Sequence, residues 1–154
     1  MSDTEKKNAI IIDLDGTLCN IEHRLPLISN PDKKENNWKA FYTKMVDDTL
    51  NEWCHTLVEL YADAGISILY VTGRPDIYKD ITLNWLRQRS CPINGLYMRK
   101  STDSRKDDIV KKEIYENQIK NQYDVLMCIE DRKSVTDMWR SLGLICLQCG
   151  EGNF

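Results

Sequence analysis

No stretch of the sequence approaches the roughly 20 consecutive apolar residues that a bilayer-spanning helix needs. The opening residues, MSDTEKKNA, contain no apolar run of signal-peptide length. A cytoplasmic protein with no membrane partner is the expectation. Histidine is scarce, with 2 in 154 residues. The lone C-x-x-C, Cys146 and Cys149, has neither a second pair nor a well-spaced histidine, so a structural zinc site is unsupported. The other cysteines, Cys19, Cys54, Cys91 and Cys128, are scattered beside apolar segments, and all six read as free, partly buried thiols. No charge dominates: a net charge of −3 argues against indiscriminate nucleic-acid binding while allowing a local basic site. Internal repeats and low-complexity tracts are also missing. What is present, 42% hydrophobic and 29% charged residues, is a globular balance, and the length fits one domain spanning 1–154.

Apolar runs rich in β-branched residues occur at Ala9–Leu14, Ile66–Thr72 and Tyr123–Ile129, with shorter ones at Leu144–Gln148 and Gly95–Met98. Each reads as a buried strand. Between them, apolar positions recur at helical spacing over Leu50–Ala64, Asp76–Arg89, Lys106–Lys120 and Ser134–Leu142. Gly65 and Gly143 stand where C-caps belong. Strands alternating with helices predict an α/β fold with a mostly parallel sheet. Ligands in such sheets bind beyond the carboxyl ends of the strands. The polar stretch Cys19–Asn37, with its charged run Asp32–Glu35, breaks the alternation and predicts an insertion over the strand ends, followed by a short helix at Trp38–Val46.

Three of the strands end in chemistry-bearing residues. Asp13-Leu14-Asp15-Gly16-Thr17-Leu18 places two carboxylates one residue apart where the chain turns. Hydrolysis of a phosphate monoester needs a nucleophile, a proton donor for the leaving oxygen and positive charge on the phosphoryl oxygens. Asp13 suits the first role and Asp15 the second, and their titrations should be coupled. The competing explanation, a D-x-D in a surface turn, does not account for the apolar strand before it. Thr72-Gly73-Arg74 ends another strand, where a hydroxyl and backbone N–H groups near a helix start can hold phosphoryl oxygens. The basic run Arg99–Lys112 includes Lys111, a candidate counter-charge, although solvated helix faces also carry such runs, and chemistry alone does not choose Lys111 over Lys106. Glu130-Asp131 offers hard oxygen ligands suited to Mg²⁺, with helix N-capping by Asp131 as the alternative.

These elements, in this order, resemble the four motifs of haloacid-dehalogenase (HAD)-type phosphotransferases. The match extends to the 3′-phosphatase domain of bacteriophage polynucleotide kinase-phosphatase through DLDGTL with Arg24 following, VTGR, the DSRKDDIVK run, EDR, MWRSLG and the terminal GNF. The resemblance implies a three-layer Rossmann-like fold with helices on both faces of the sheet and a small cap-like insertion at about 19–48. It implies a Mg²⁺-dependent enzyme that removes phosphate from the 3′ ends of DNA or RNA through a phospho-aspartate, in nucleic-acid end repair. By position it makes Asp13 the nucleophile, Asp15 the acid/base and Lys111 and Thr72 phosphate binders. Asp131 and Glu130 become metal ligands together with Asp13 and Asp15. Arg24, Gly73, Arg74, Arg99, Arg105, Asp107 and Arg132 become substrate-site residues.

The chain departs from that family in three ways. It has no G-x-x-x-x-G-K-[ST], so 5′-kinase activity is not expected of it and a separate kinase or ligase is an expected partner. Glu130 stands where the family has an aspartate. The segment between Gly16 and Val71 is longer than the family pattern. A HAD phosphatase acting on nucleotides or other small esters is the rival reading, and a non-catalytic binding module of the same fold is the rival from another class.

Overall fold

Ile10, Ile11 and Ile12 are almost completely buried although they are consecutive, and this requires both faces of their strand to be covered. In the computed structural model, which describes residues 5–29 and 36–154, that strand is β1 (Lys7–Ile12) at the centre of a five-stranded sheet. The other members are β4 (Ser67–Pro75), β5 (Gly95–Arg99), β6 (Tyr123–Glu130) and β7 (Cys146–Gln148). The strand order is β5-β4-β1-β6-β7 and every pairing is parallel. Two short strands, β2 (Cys19–Asn20) and β3 (Thr49–Leu50), pair separately as an antiparallel ribbon.

Strand periodicity divides the core into two layers. Ile10, Ile12, Ile68, Tyr70 and Ile129 point to one face and pack with Phe41, Cys54, Val58, Trp85 and Leu86. These come from α1 (Trp38–Thr43), α2 (Glu52–Asp63) and α3 (Lys79–Gln88). Ala9, Ile11, Leu69, Val71 and Cys128 point the other way, onto Val110 and Ile114 of α4 (Asp107–Ile114) and Val135, Met138 and Trp139 of α5 (Lys133–Ser141). The result is the three-layer α/β architecture that the alternation of elements predicts.

Element boundaries differ from the sequence expectation in two informative places. The helix expected over Lys106–Lys120 is α-helical only to Ile114 and continues as a single π turn, Tyr115–Ile119. Val110, Ile114 and Ile119 are spaced four and then five residues apart. A wider turn is what keeps Ile119, which is fully buried, on the core face. The strand expected to stop at Thr72 runs on to Pro75, which pairs with Arg99 across a local irregularity. A 3₁₀ turn, Asp76–Tyr78, then precedes α3, so that helix starts well beyond Gly73.

The segment between β1 and α2 lies outside the alternation. It comprises the β2–β3 ribbon, 3₁₀ turns at Glu22–Leu27 and Lys44–Asp47, and α1 between them. The expected charged run Asp32–Glu35 falls outside the described residues.

Going outward from β1, the chain visits β4 and β5 on one side, then crosses to β6 and β7 on the other. The carboxyl ends of β1 and its neighbours therefore flank a topological switch point, where an open parallel sheet leaves a crevice. No described helix is long and apolar enough to cross a membrane.

Candidate active site

A cleft of about 600 Å³ opens at that switch point, lined by Asp13, Asp15, Thr72, Gly73, Arg99, Arg105, Asp107, Lys111, Glu130, Asp131 and Arg132. The carboxyl ends of four strands, β1, β4, β5 and β6, together with α4 and the loop before it supply them, so the sheet brings together residues more than a hundred positions apart in sequence. Arg24 and Arg74 are not in its wall.

Asp13 follows β1 directly, and its N–H still donates to the Ile129 carbonyl at 3.1 Å, which fixes its backbone on the sheet. Its side chain is held from two sides. Lys111 Nζ donates to Oδ1 at 2.9 Å and Thr17 Oγ1 donates to Oδ2 at 3.0 Å. Lys111 and Asp107 are one helical turn apart on α4 and share a face. Lys106 lies at the exposed N-cap, so packing decides between the two lysines in favour of Lys111. Lys111 is 2% exposed and also donates to Glu130 Oε2 at 2.9 Å.

Carboxylate oxygens of Asp13, Glu130 and Asp131 lie within 4.8 Å of one another. Burial, with the charge of Asp13 adding, pushes the Glu130 carboxyl well above its ordinary range and that of Asp131 up to about 7. One ammonium, Lys111, faces this buried group, and a divalent cation would supply the missing positive charge. Carboxylate oxygens are the donor set Mg²⁺ prefers, so the residues fit that ion. Gly16, at φ +83°, is needed for the arrangement, since a Cβ there would lie 2.2 Å from Asp131 Oδ2. Asp131 does not cap α5: Arg132 holds the N-cap position and no side chain closes it.

The Asp15 carboxylate, although it lines the cleft, is not among the three whose oxygens cluster and belongs to a different network. Arg24 Nη2 donates to Oδ1 at 2.6 Å, and Arg74 donates through Nη2 at 2.5 Å and through Nε at 3.0 and 3.1 Å. Burial alone would raise this carboxyl, but the charges of Arg74 and Arg24 outweigh it and hold Asp15 well below the usual carboxylate range. Both guanidiniums are fully buried, which is the physical reason they lie behind Asp15 and do not line the cleft as substrate-site residues. Asp15, Cys19 and Asp48 also have ligand atoms within 4.8 Å of one another, but the two arginines already supply the cationic charge there.

The second anchor of this network is Asp48, which sequence reasoning missed. It is fully buried and accepts from Arg24 Nε at 2.8 Å and Nη2 at 2.7 Å, with His23 Nε2 2.7 Å away. Nothing local marks it, because it follows a 3₁₀ turn in the irregular segment. Thr17 was also missed as a partner of Asp13, although it lies inside the quoted motif.

The remaining cleft residues are largely committed to one another. Asp107 accepts from Arg99 and, at 2.9 Å, from Arg132 Nη1. Arg99 also donates to the carbonyls of Gly73 and Asp103 at 3.0 and 3.1 Å, shaping the loop before α4. Gly73 leaves room for Asp107, whose Oδ1 would be 2.6 Å from a Cβ at that position. Arg105 is half exposed and forked between Asp103 and Glu113. Thr72 Oγ1 accepts from the Arg74 N–H at 3.2 Å and lines the cleft. Phe154 was unforeseen as an individual contact: its carbonyl accepts from Arg132 at 2.6 Å and its ring lies 5.0 Å from that guanidinium. All six cysteines are free, five of them buried and Cys149 exposed.

The chain is 31% identical, with a TM-score of 0.83, to a chain of the Pnkp1/Rnl/Hen1 RNA repair complex, covering 99% of this chain and 45% of that one. A protein of Autographa californica nuclear polyhedrosis virus, provisionally named a bifunctional polynucleotide kinase/RNA ligase, is 28% identical over 136 residues, 87% of this chain and 18% of its own length. The chain thus spans under half of the first of these relatives and about a fifth of the second. A class C acid phosphatase from Bacillus anthracis shares the fold at a TM-score of 0.73 and 18% identity, covering 99% of this chain and 70% of that one. The family model for the polynucleotide kinase PNKP phosphatase domain matches residues 7–154, and with a HAD-type sheet carrying Asp13, Lys111, Glu130 and Asp131 to one cleft, the chain belongs to that family.

Proposed function

We propose that the protein is a Mg²⁺-dependent phosphatase that hydrolyses 3′-phosphate ends of DNA or RNA through a phosphorylated Asp13. The observation that carries this reading is the setting of Asp13: a buried carboxylate gripped by Lys111 and Thr17, with the Glu130–Asp131 pair beside it. A carboxylate so oriented needs no reorganisation before it attacks phosphorus.

In the first step Asp13 forms a bond to phosphorus as the bond to the 3′-oxygen breaks, and Asp15 supplies the proton that oxygen needs. In the second step Asp15 takes a proton from water, which attacks the phosphoryl group and restores Asp13. The grip of Arg24 and Arg74 suits the base half of this cycle, because it keeps Asp15 ionised. An entering phosphate adds negative charge nearby and raises the affinity of Asp15 for the proton it donates in the first half. Lys111 holds one oxygen of Asp13 and offers positive charge where the phosphoryl group transfers. Asp13, Glu130 and Asp131 would hold Mg²⁺, which supplies Lewis-acid polarisation of the phosphoryl oxygens. Asp107 bridges Arg99 and Arg132 and keeps those cations at the cleft wall.

The polynucleotide substrate is supported by family membership. One of the relatives is a component of an RNA repair complex and another carries kinase and ligase in its name, so a separate kinase or ligase is the partner class we propose. Initial rates on 3′-phosphorylated DNA and RNA oligonucleotides, against free 3′- and 5′-mononucleotides and with Mg²⁺ or a chelator, test the reading. Faster Mg²⁺-dependent release from the oligonucleotides is expected, and equal or faster release from mononucleotides contradicts it.

A further inference from the structure

One wall of the cleft is aromatic, and the chemistry described above does not use it. Trp38, Phe41 and Tyr42 of α1 line the same cavity as Asp13 and Lys111. Trp38 and Tyr42 are one turn apart on α1 and stack, with ring centroids 6.0 Å apart and an interplanar angle of 29°. Tyr78 packs against Tyr42 at a tilt, with centroids 5.2 Å apart and 30° between the planes, so three rings are in contact in series. Phe41 meets Trp38 and Tyr42 edge-on at 5.7 and 5.3 Å and is itself buried, which accounts for the packing of the helix. Trp38 is 46% exposed and adds little to that core. Burial, with the charges of Asp15 and Asp107 adding, keeps the Tyr42 phenol neutral well above its ordinary range.

The platform is also fixed relative to the chemistry. The guanidinium of Arg24, which grips Asp15, donates to the Phe41 carbonyl at 3.1 Å and lies 4.2 Å over the Phe41 ring. The element carrying the rings is thus tied through one side chain to the proposed acid/base. A stacked aromatic face beside a phosphate site fits a planar heterocycle attached to the phosphate by a sugar. Such a surface holds any base, because every base presents a π-face.

We propose that the exposed face of Trp38, backed by Tyr42 and Tyr78, is a stacking subsite for the nucleobase of the terminal nucleotide that carries the 3′-phosphate. This rests on the polynucleotide reading of the site and extends it to the irregular segment between β1 and α2. It makes recognition of the end tolerant of base identity yet dependent on a base being there.

The test compares kcat/KM on a 3′-phosphorylated oligonucleotide with that on the same oligonucleotide carrying an abasic terminal nucleotide. The wild-type protein should prefer the intact end by about 5- to 150-fold, the range that stacking on an aromatic ring contributes. Trp38→Leu, which stays apolar but loses the π-face, should bring the ratio close to one, and Trp38→Phe should retain part of the preference. A wild-type ratio of one, or an unchanged ratio in Trp38→Leu, overturns the subsite while leaving the phosphatase reading intact. A variant that is merely misfolded lowers both rates, leaves the ratio in place and so counts against the proposal. No hydrolysis of either oligonucleotide by the wild type overturns the underlying reading itself.

Discussion

Replacing Asp48 with alanine should damage both stability and turnover, although Asp48 does not line the cleft. Its carboxylate takes two hydrogen bonds from Arg24 at 2.7 and 2.8 Å and lies 3.6 Å from Arg74, with every group fully buried. Breaking a buried ion pair by removing one partner costs about 3–5 kcal/mol. Arg24 keeps Asp15 and the Phe41 ring and carbonyl, so the lower end, about 3 kcal/mol, is the expectation. For a chain of this size that is a fall in Tm of about 6–12 °C. With Asp48 gone, Arg24 is free to shift toward Asp15, and a displacement of about 1 Å at the reacting groups can cost on the order of 10²-fold in rate. Calorimetry and kcat on a 3′-phosphorylated oligonucleotide measure the two effects. The paired substitution Asp48→Leu with Arg24→Met should recover stability, since apolar replacement of a buried pair is often neutral, but not activity. A Tm for Asp48→Ala within about 2 °C of wild type, or a double variant no more stable than the additive sum, would refute the reasoning.

Asp13→Asn should abolish turnover with little change in Tm, because the amide keeps the shape of the side chain but is not a nucleophile. Lys111→Met should lower kcat by about 10²–10³-fold, as removal of a preorganised charge stabiliser does, and activity near wild type would return Lys111 to a structural role. Asp131, pushed up to about 7, binds a proton in the folded protein over a range where the unfolded chain has lost it. In metal-free protein its ionisation therefore subtracts stability as pH rises from about 4 toward 7, and Mg²⁺ binding must displace that proton. The Mg²⁺-induced rise in Tm should be larger at pH 8 than at pH 5.5. Gly16→Ala should cost about 1–3 kcal/mol of backbone strain and weaken Mg²⁺ binding, read by thermal melts and metal titration, because the added methyl meets Asp131.

The parts of this molecule that the sequence discloses are those with a local signature. The run at Ala9–Leu14 declares a buried strand because burial on both faces forces continuous apolar residues, whereas Tyr123–Ile129 is buried only from Cys128 on, and the acidic residues at both strand ends line the cleft. Lys111 is decided by packing, since it reaches Asp13 from α4 whereas Lys106 lies at the exposed N-cap. The Arg24–Arg74–Asp15–Asp48 network was half visible: the arginines sit beside recognisable motifs, whereas Asp48 becomes a partner only when an irregular segment folds back. The boundary at Ile114 depended on reading a five-residue step in the apolar spacing, which calls for a π turn. Aromatic residues at Trp38 and Tyr42 carry no signal until α1 is placed beside the strand ends.

The central claim is that Asp13 becomes phosphorylated. Acid quenching during turnover of an oligonucleotide bearing a labelled 3′-phosphate, followed by mass spectrometry of the peptides, measures this directly. Label is expected on the peptide containing Asp13 and should be absent in Asp13→Asn. Full turnover with no labelled protein under rapid quench, or label on another residue, would contradict it.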